Sequence, residues 1–244
     1  MSPTTSPVVV LERVGRRFGT QVALDGVSAC IPPGEFVAII GRSGAGKTTL
    51  LRCLSRAIVP TEGAIRMGGQ DLRPLTGAGL RAHRARVGVI YQQFNLVKRL
   101  RVLDNVLIGR LPHLRGWRRH AALVGVFDRV QRDAALSCLD HVGLLARAWQ
   151  RTDTLSGGEQ QRVAVARSLY AHPSLVLADE PSGNLDPGTA RGLHDLMYTL
   201  ARRHEQAWIV VTHNDGLAQL ADRRTRLEDG LLRFQTDGPS GAVL

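Results

Sequence analysis

Apolar positions fall into two rhythms along this chain, and the switches between them predict its elements. From Val8 to Ile40 the text is strand-like, with β-branched runs broken by Gly15, Gly19, Gly26 and the Pro32-Pro33-Gly34 turn. That stretch closes on Phe36-Val37-Ala38-Ile39-Ile40, five apolar residues in a row, as expected of a strand covered on both faces. A glycine-rich loop follows, and residues 47–54 then show helical spacing. A hairpin-like stretch around Gly63 and Gly68-Gly69 leads to another strand over 87–91. Between about 94 and 155 leucines and valines recur every three or four positions among charges, which predicts a block of helices. The alternation resumes with a helix after Gln160, a strand over 175–178, a helix from about 187 to 203 and a strand over 208–211. The expected fold class is α/β: a predominantly parallel sheet covered by helices, interrupted by a helical insert. No repeat, heptad or low-complexity tract is present.

Length and composition narrow the possibilities. A chain of 244 residues is long enough for a substantial core and suits one compact module. Apolar residues make up 43%, yet no stretch approaches the roughly 18 uncharged apolar residues needed to span a bilayer. Met1-Ser2-Pro3-Thr4-Thr5 lacks the basic-then-apolar pattern of a secretory signal, so a cytoplasmic location is expected. Cys30, Cys53 and Cys138 have neither metal-ligand nor redox spacing and are expected as small core residues with reduced thiols. The net charge of +11 fits nucleic acid, anionic lipid or a biased composition, and thirty arginines against two lysines favours the last. That scarcity makes Lys47 informative.

Gly41-Arg42-Ser43-Gly44-Ala45-Gly46-Lys47-Thr48 fits the phosphate-binding loop pattern and lies between a predicted strand and a predicted helix. Glycines let backbone N–H groups turn toward phosphates, the helix N-terminus adds a positive dipole end, and Lys47 supplies a point charge between the β- and γ-phosphates. Thr48 offers a hydroxyl to Mg²⁺, and Thr49 beside it is counted with the nucleotide-binding residues of the loop. Asp179 and Glu180 end the apolar strand Leu175-Val176-Leu177-Ala178, where parallel strands deliver ligands. On their own they read as a solvated strand end. Beside a phosphate loop, Asp179 suits Mg²⁺ and Glu180 suits a general base for the attacking water. Leu155-Ser156-Gly157-Gly158-Glu159-Gln160-Gln161-Arg162 reads physically as a Ser-Gly-Gly turn with a helix cap, whose Ser156 and Gly158 donors can face an anion.

With the phosphate loop, that octet resembles the signature of ATP-binding-cassette (ABC) ATPases, and the resemblance covers nearly all of the chain from about Val8 to Arg233. It implies the phosphate-loop NTPase fold of that family: a RecA-like core, an antiparallel β subdomain and a helical insert. One nucleotide-binding domain over 1–244 is then expected, with the core and β lobe at about 8–91 and 161–233 and the helical signature subdomain at about 94–160. The resemblance further implies that Phe18 stacks on adenine, that Gln92 touches Mg²⁺ and the attacking water, and that His213 contacts the γ-phosphate. It implies that residues 182–186 communicate across a dimer, and that Ser156, Gly157, Gly158 and Glu159 bind ATP held by a second copy. ATP and Mg²⁺ are the implied cofactors. A homodimer is implied, with two integral membrane permease subunits docking near Gln92 and the helical insert at the cytoplasmic face of the bacterial inner membrane.

Two transporter types are resembled in different places. Residues 92–111, with Trp117 in its basic insert and Trp149-Gln150-Arg151, look most like the ATPases of phosphonate importers. Such an importer would also use a separate periplasmic binding protein. Residues 181–186, 211–214 and 227–230 look closer to lipoprotein-releasing or macrolide-type exporters. Membrane subunits dock on the helical insert, so phosphonate-type import is the leading expectation. A soluble ABC protein acting on nucleic acid is the remoter alternative, and no nucleic-acid partner is expected, because neither a second cassette nor a long coiled coil is present. The basic residues Arg115, Arg118 and Arg119 read as a solvated loop or as a contact with the anionic inner leaflet, at about 1 kcal/mol per charge.

Overall fold

The computed structural model describes residues 6–114 and 125–234. Two sheets carry the architecture. An antiparallel sheet in the order β2-β1-β4-β5 joins β1 (Val9–Phe18), β2 (Gln21–Ile31), β4 (Glu62–Met67) and β5 (Gln70–Asp71). The second sheet runs β10-β9-β3-β8-β7-β6 and contains β3 (Phe36–Ile40), β6 (Val87–Ile90), β7 (Leu175–Asp179), β8 (Ala207–Thr212), β9 (Arg223–Glu228) and β10 (Leu231–Phe234). Five of its strands are parallel, and β10 folds back antiparallel on β9.

Side chains alternate across the parallel sheet, so its apolar strands serve two cores. Phe36, Val176, Ala178, Trp208 and Val210 face the first, Val37, Ile39, Leu175, Leu177, Ile209 and Val211 the second. The second core is closed by α1 (Lys47–Leu54), through Leu50, Leu51, Cys53 and Leu54, and by the antiparallel sheet. The first is closed by α3 (Val102–Ile108), α4 (Arg129–His141), α5 (Gly157–Leu169) and α6 (Pro187–Arg203). Here Trp208, fully buried, stacks on Phe36 with centroids 5.8 Å apart. Burial of such a side chain contributes about 1.5–3 kcal/mol. Helices α2 (Gly77–Ala85) and α7 (Asp215–Gln219) complete the described residues' helical set.

Three expectations change. Among the described residues, the region read as a helical block holds α3 and α4 as full helices, with 3₁₀ turns at Leu111–His113 after α3 and at Leu145–Arg147 and Thr152–Thr154 after α4. Its loops are held by polar bonds: the fully buried Asn105 side chain bonds the Val97 N–H and carbonyl, and it donates to the Thr152 hydroxyl. Second, α5 starts at Gly157, not after Gln160, because Ser156 caps the helix strongly enough to carry two glycines into its first turn. Third, only Cys53 is a core cysteine; Cys138 is half-buried and Cys30 exposed, since β2 is an edge strand with one wet face. Residues 115 to 119 lie outside the described residues.

Candidate functional site

Parallel register brings the chemistry to one edge. Ile40 lies opposite Thr212 and Asp179 opposite Val211, so β3, β7 and β8 end side by side. The phosphate loop leaves β3 there, Glu180 leaves β7 and His213 leaves β8, the place where open parallel sheets bind ligands.

The loop's geometry depends on Gly46. It caps α1 at φ 101°, and a Cβ there would lie 2.1 Å from the Ala23 carbonyl oxygen. Behind it, Lys47 Nζ donates to the carbonyls of Gly41 at 2.6 Å and Arg42 at 3.0 Å, which fixes the ammonium across the loop. The Thr48 hydroxyl donates to Asp179 Oδ1 at 3.3 Å. Burial pushes the Asp179 carboxyl above its ordinary range; the Thr48 bond opposes this, the adjacent Glu180 charge adds to it, and Lys47 lowers it.

Glu180 adopts φ 46°, a left-handed conformation uncommon outside glycine. Its N–H still donates to Val211 O, while its carboxylate turns to His213: Oε2 lies 2.9 Å from His213 Nδ1 and accepts from the His213 backbone N–H at 3.3 Å. Gln92 and Asn184 exchange bonds, Gln92 Nε2 to Asn184 Oδ1 at 3.4 Å and Asn184 Nδ2 to Gln92 O at 3.3 Å. Phe18 is 46% exposed, with the Arg16 guanidinium 4.5 Å from its ring centroid.

These residues share one cavity of about 680 Å³. Its wall takes in Phe18, the loop residues Gly41, Arg42, Ser43, Gly44, Gly46, Lys47, Thr48 and Thr49, and then Gln92, Asp179, Glu180 and His213. Ala45 is in the loop but off the wall, its N–H donating to Arg42 O. Gln21 and Ala23 also line it, and sequence reasoning missed them. Their signal is slight: they follow the Phe18-Gly19 turn on the strand running back past the loop.

Ser156, Gly157, Gly158 and Glu159 do not line this cavity. They form the start of α5, held by a capping box. The Ser156 N–H donates to Glu159 Oε2 at 2.9 Å, the Ser156 hydroxyl donates to the same oxygen at 3.0 Å, and the Glu159 N–H donates to Ser156 Oγ at 3.3 Å. Chiefly through the Ser156 backbone bond, the Glu159 carboxyl is held below its ordinary range. Glu159 therefore already has a job within its own chain.

The family model for the ABC transporter matches residues 24–183, spanning the phosphate loop, the capped Ser-Gly-Gly turn and the Asp-Glu strand end. The chain belongs to the ABC transporter family. As an ABC ATPase, it binds ATP. It is 44% identical over 228 residues to the phosphonates import ATP-binding protein PhnC of Rhodopseudomonas palustris (strain BisB5), covering 93% of this chain and 83% of that protein. It is 46% identical over 211 residues to the phosphate-import ATP-binding protein PhnC of Mycolicibacterium smegmatis, covering 86% of this chain and 79% of the relative. Among solved structures, the dimeric bacterial ABC transporter cassette MJ0796 is 33% identical, with a TM-score of 0.80 over 92% of this chain and 96% of that one.

Within this ABC fold the signature glycines are not equivalent. A Cβ on Gly158 would lie 2.3 Å from Thr189 Cγ2, so packing against α6 requires glycine there. A Cβ on Gly157 would meet only Leu185 at 3.6 Å and Phe94 at 3.7 Å, ordinary contacts. Among the described residues, none comes close enough to demand that Gly157 lack a side chain. Among the described residues no helix is long and apolar enough to cross a membrane.

Proposed function

We propose that this chain is the ATP-hydrolysing subunit of an importer for phosphonate or a related small oxyanion. It acts as a homodimer at the cytoplasmic face of the inner membrane, with two integral membrane permeases docked near Gln92 and the helical insert, and receives cargo from a separate periplasmic binding protein. Residues 1–244 form one nucleotide-binding domain, with a RecA-like and β lobe at about 8–91 and 161–233 and a helical signature subdomain at about 94–160.

The observation that carries the dimer is the separation of two phosphate-directed elements. The cavity has the loop, the acidic strand end and His213, while Ser156 and Gly157 do not line it. A two-fold dimer presents each signature to the other copy's cavity and gives Gly157 a reason to be bare.

The residues fit Mg²⁺, a hard cation that takes few protein ligands beside substrate phosphates: Thr48 and Asp179 offer adjacent oxygen donors, with Gln92 on the same wall. Bound there, Mg²⁺ would neutralise charge on the β- and γ-phosphates. The chain supplies the rest. Phe18 stacks on the adenine, Gly41 to Thr49 cradle the phosphates, and Lys47 adds its charge. Glu180 orients and polarises the attacking water, with His213 holding its carboxylate and reaching the γ-phosphate, and Gln92 reporting the site to the permease. Glu180→Gln should trap an ATP-bound dimer with hydrolysis lost; a persistent monomer by light scattering with ATP would sink the composite site.

Import of an oxyanion rests on relatives 42–46% identical over 86–100% of the chain, named as phosphonates import or phosphate-import ATP-binding proteins. In vesicles holding the assembled transporter, phosphonate-loaded binding protein should stimulate ATP hydrolysis severalfold. Stimulation by phosphate alone would move the cargo to that oxyanion, and stimulation by a lipopeptide would favour the export reading.

A further inference from the structure

Helix α6 buries an apolar face of Ala190, Leu193, Met197, Leu200 and Ala201, and one polar side chain interrupts it. His194 is 4% exposed, and its Nε2 lies 2.7 Å from the hydroxyl of Ser182, itself 7% exposed. Burial holds the His194 imidazole below its ordinary pKa, so it is neutral at neutral pH. A buried imidazole–hydroxyl pair in a face otherwise fit for leucine or methionine is costly unless each group satisfies the other.

The place of this pair gives it a use. Glu180 to Gly183 form a tight turn closed by the Gly183 N–H on Glu180 O at 3.1 Å, and a second turn follows, with the Leu185 N–H on Ser182 O at 3.1 Å. The turn begins at a residue with φ 46°, a strained conformation that persists only where the surroundings impose it. From the cavity side, Glu180 is held by His213 and Asn184 by Gln92. From the core side, the turn is tied to α6 through Ser182 and His194.

We infer that His194 is a positioning residue for ATP hydrolysis: through Ser182 it locks the 180–183 turn so that the Glu180 carboxylate stays on the cavity wall. This rests on the assignment of Glu180 as the base. His194 does not line the nucleotide cavity, so its loss should lower kcat and leave nucleotide binding alone.

The test uses the purified full-length chain and steady-state ATP hydrolysis. His194→Ala should lower kcat about tenfold with KM within about twofold of wild type, a modest version of what a small displacement near reacting groups costs. His194→Gln, whose neutral amide can still bond Ser182, should recover most of that loss. Ser182→Ala should match His194→Ala, and the double variant should be no worse than either single one, because both remove the same bond. Binding of a fluorescent ATP analogue should be unchanged throughout. If His194→Ala does not fold, the comparison of His194→Gln and Ser182→Ala with wild type decides the matter. An inactive Glu180→Gln together with an unaltered kcat in His194→Ala or Ser182→Ala would overturn the inference alone. So would losses that multiply in the double variant. A Glu180→Gln protein that still hydrolyses ATP would overturn the base assignment and this inference with it.

Discussion

Asp179 illustrates how a single functional side chain works against the fold. Its carboxyl is raised by burial, so the folded state holds the proton more tightly than the unfolded chain does. Its contribution is therefore favourable below the unfolded pKa and is lost as pH rises through the folded one. Once ionised, its carboxylate is a penalised charge, which suits the proposed Mg²⁺ site. Asp179→Asn should raise the melting midpoint of the nucleotide-free protein by a few degrees, with the gain shrinking on acidification, and should abolish ATP hydrolysis. Scanning calorimetry beside an ATPase assay checks both halves. At this scale the sequence was readable where a residue acts through chain neighbours, as Lys47 does through the Gly41 and Arg42 carbonyls. It was silent on the pairing of Ser182 with His194, twelve positions on, a bond that exists only because α6 packs behind the turn.

At the scale of elements, α5 shows two adjacent glycines with different reasons for being there. Gly158→Ala forces a Cβ against Thr189 and should cost about 1–3 kcal/mol, read as a lower denaturant midpoint at unchanged slope. Gly157→Ala has room within the chain and replaces a helix-weakening residue, so the monomer should be as stable as wild type or slightly more so. ATP-driven dimerisation should nevertheless weaken. Sequence reading placed this helix after Gln160 because Gly157 and Gly158 looked like turn residues; the reciprocal Ser156–Glu159 cap outweighed their low propensity. Among the described residues of the helical block, spacing by three and four marked α3 and α4 but not the 3₁₀ turns at Leu111–His113, Leu145–Arg147 and Thr152–Thr154, which give a similar spacing when they pack one apolar side.

For the whole molecule, the proposed composite site requires that each ATP be held by two chains. Mixing a Lys47→Ala chain with a Gly157→Glu chain, each inactive alone, should recover about a quarter of wild-type activity. Half the dimers are then mixed, and each mixed two-fold dimer has one site with both parts intact. Activity that stays at the level of either variant would show that both elements serve the same chain. The antiparallel sheet and the parallel sheet share the core that seats α1, so the phosphate loop is supported from β2 through Ala23 as well as from β3.

By itself the sequence determined what local spacing can encode: the phosphate loop, the acidic strand end, the capped signature and the alternation of strand and helix that makes an α/β fold. These depend on neighbours within a few positions, where backbone geometry and helix capping act. Tertiary structure alone decided the rest. Parallel register aligned the ends of β3, β7 and β8 so that Lys47, Glu180 and His213 share a wall, packing put His194 behind Ser182, and Ser156 and Gly157 were left off the wall of their own chain's cavity. Such pairings join residues far apart in the chain, and no short-range pattern records which strand end will lie beside which.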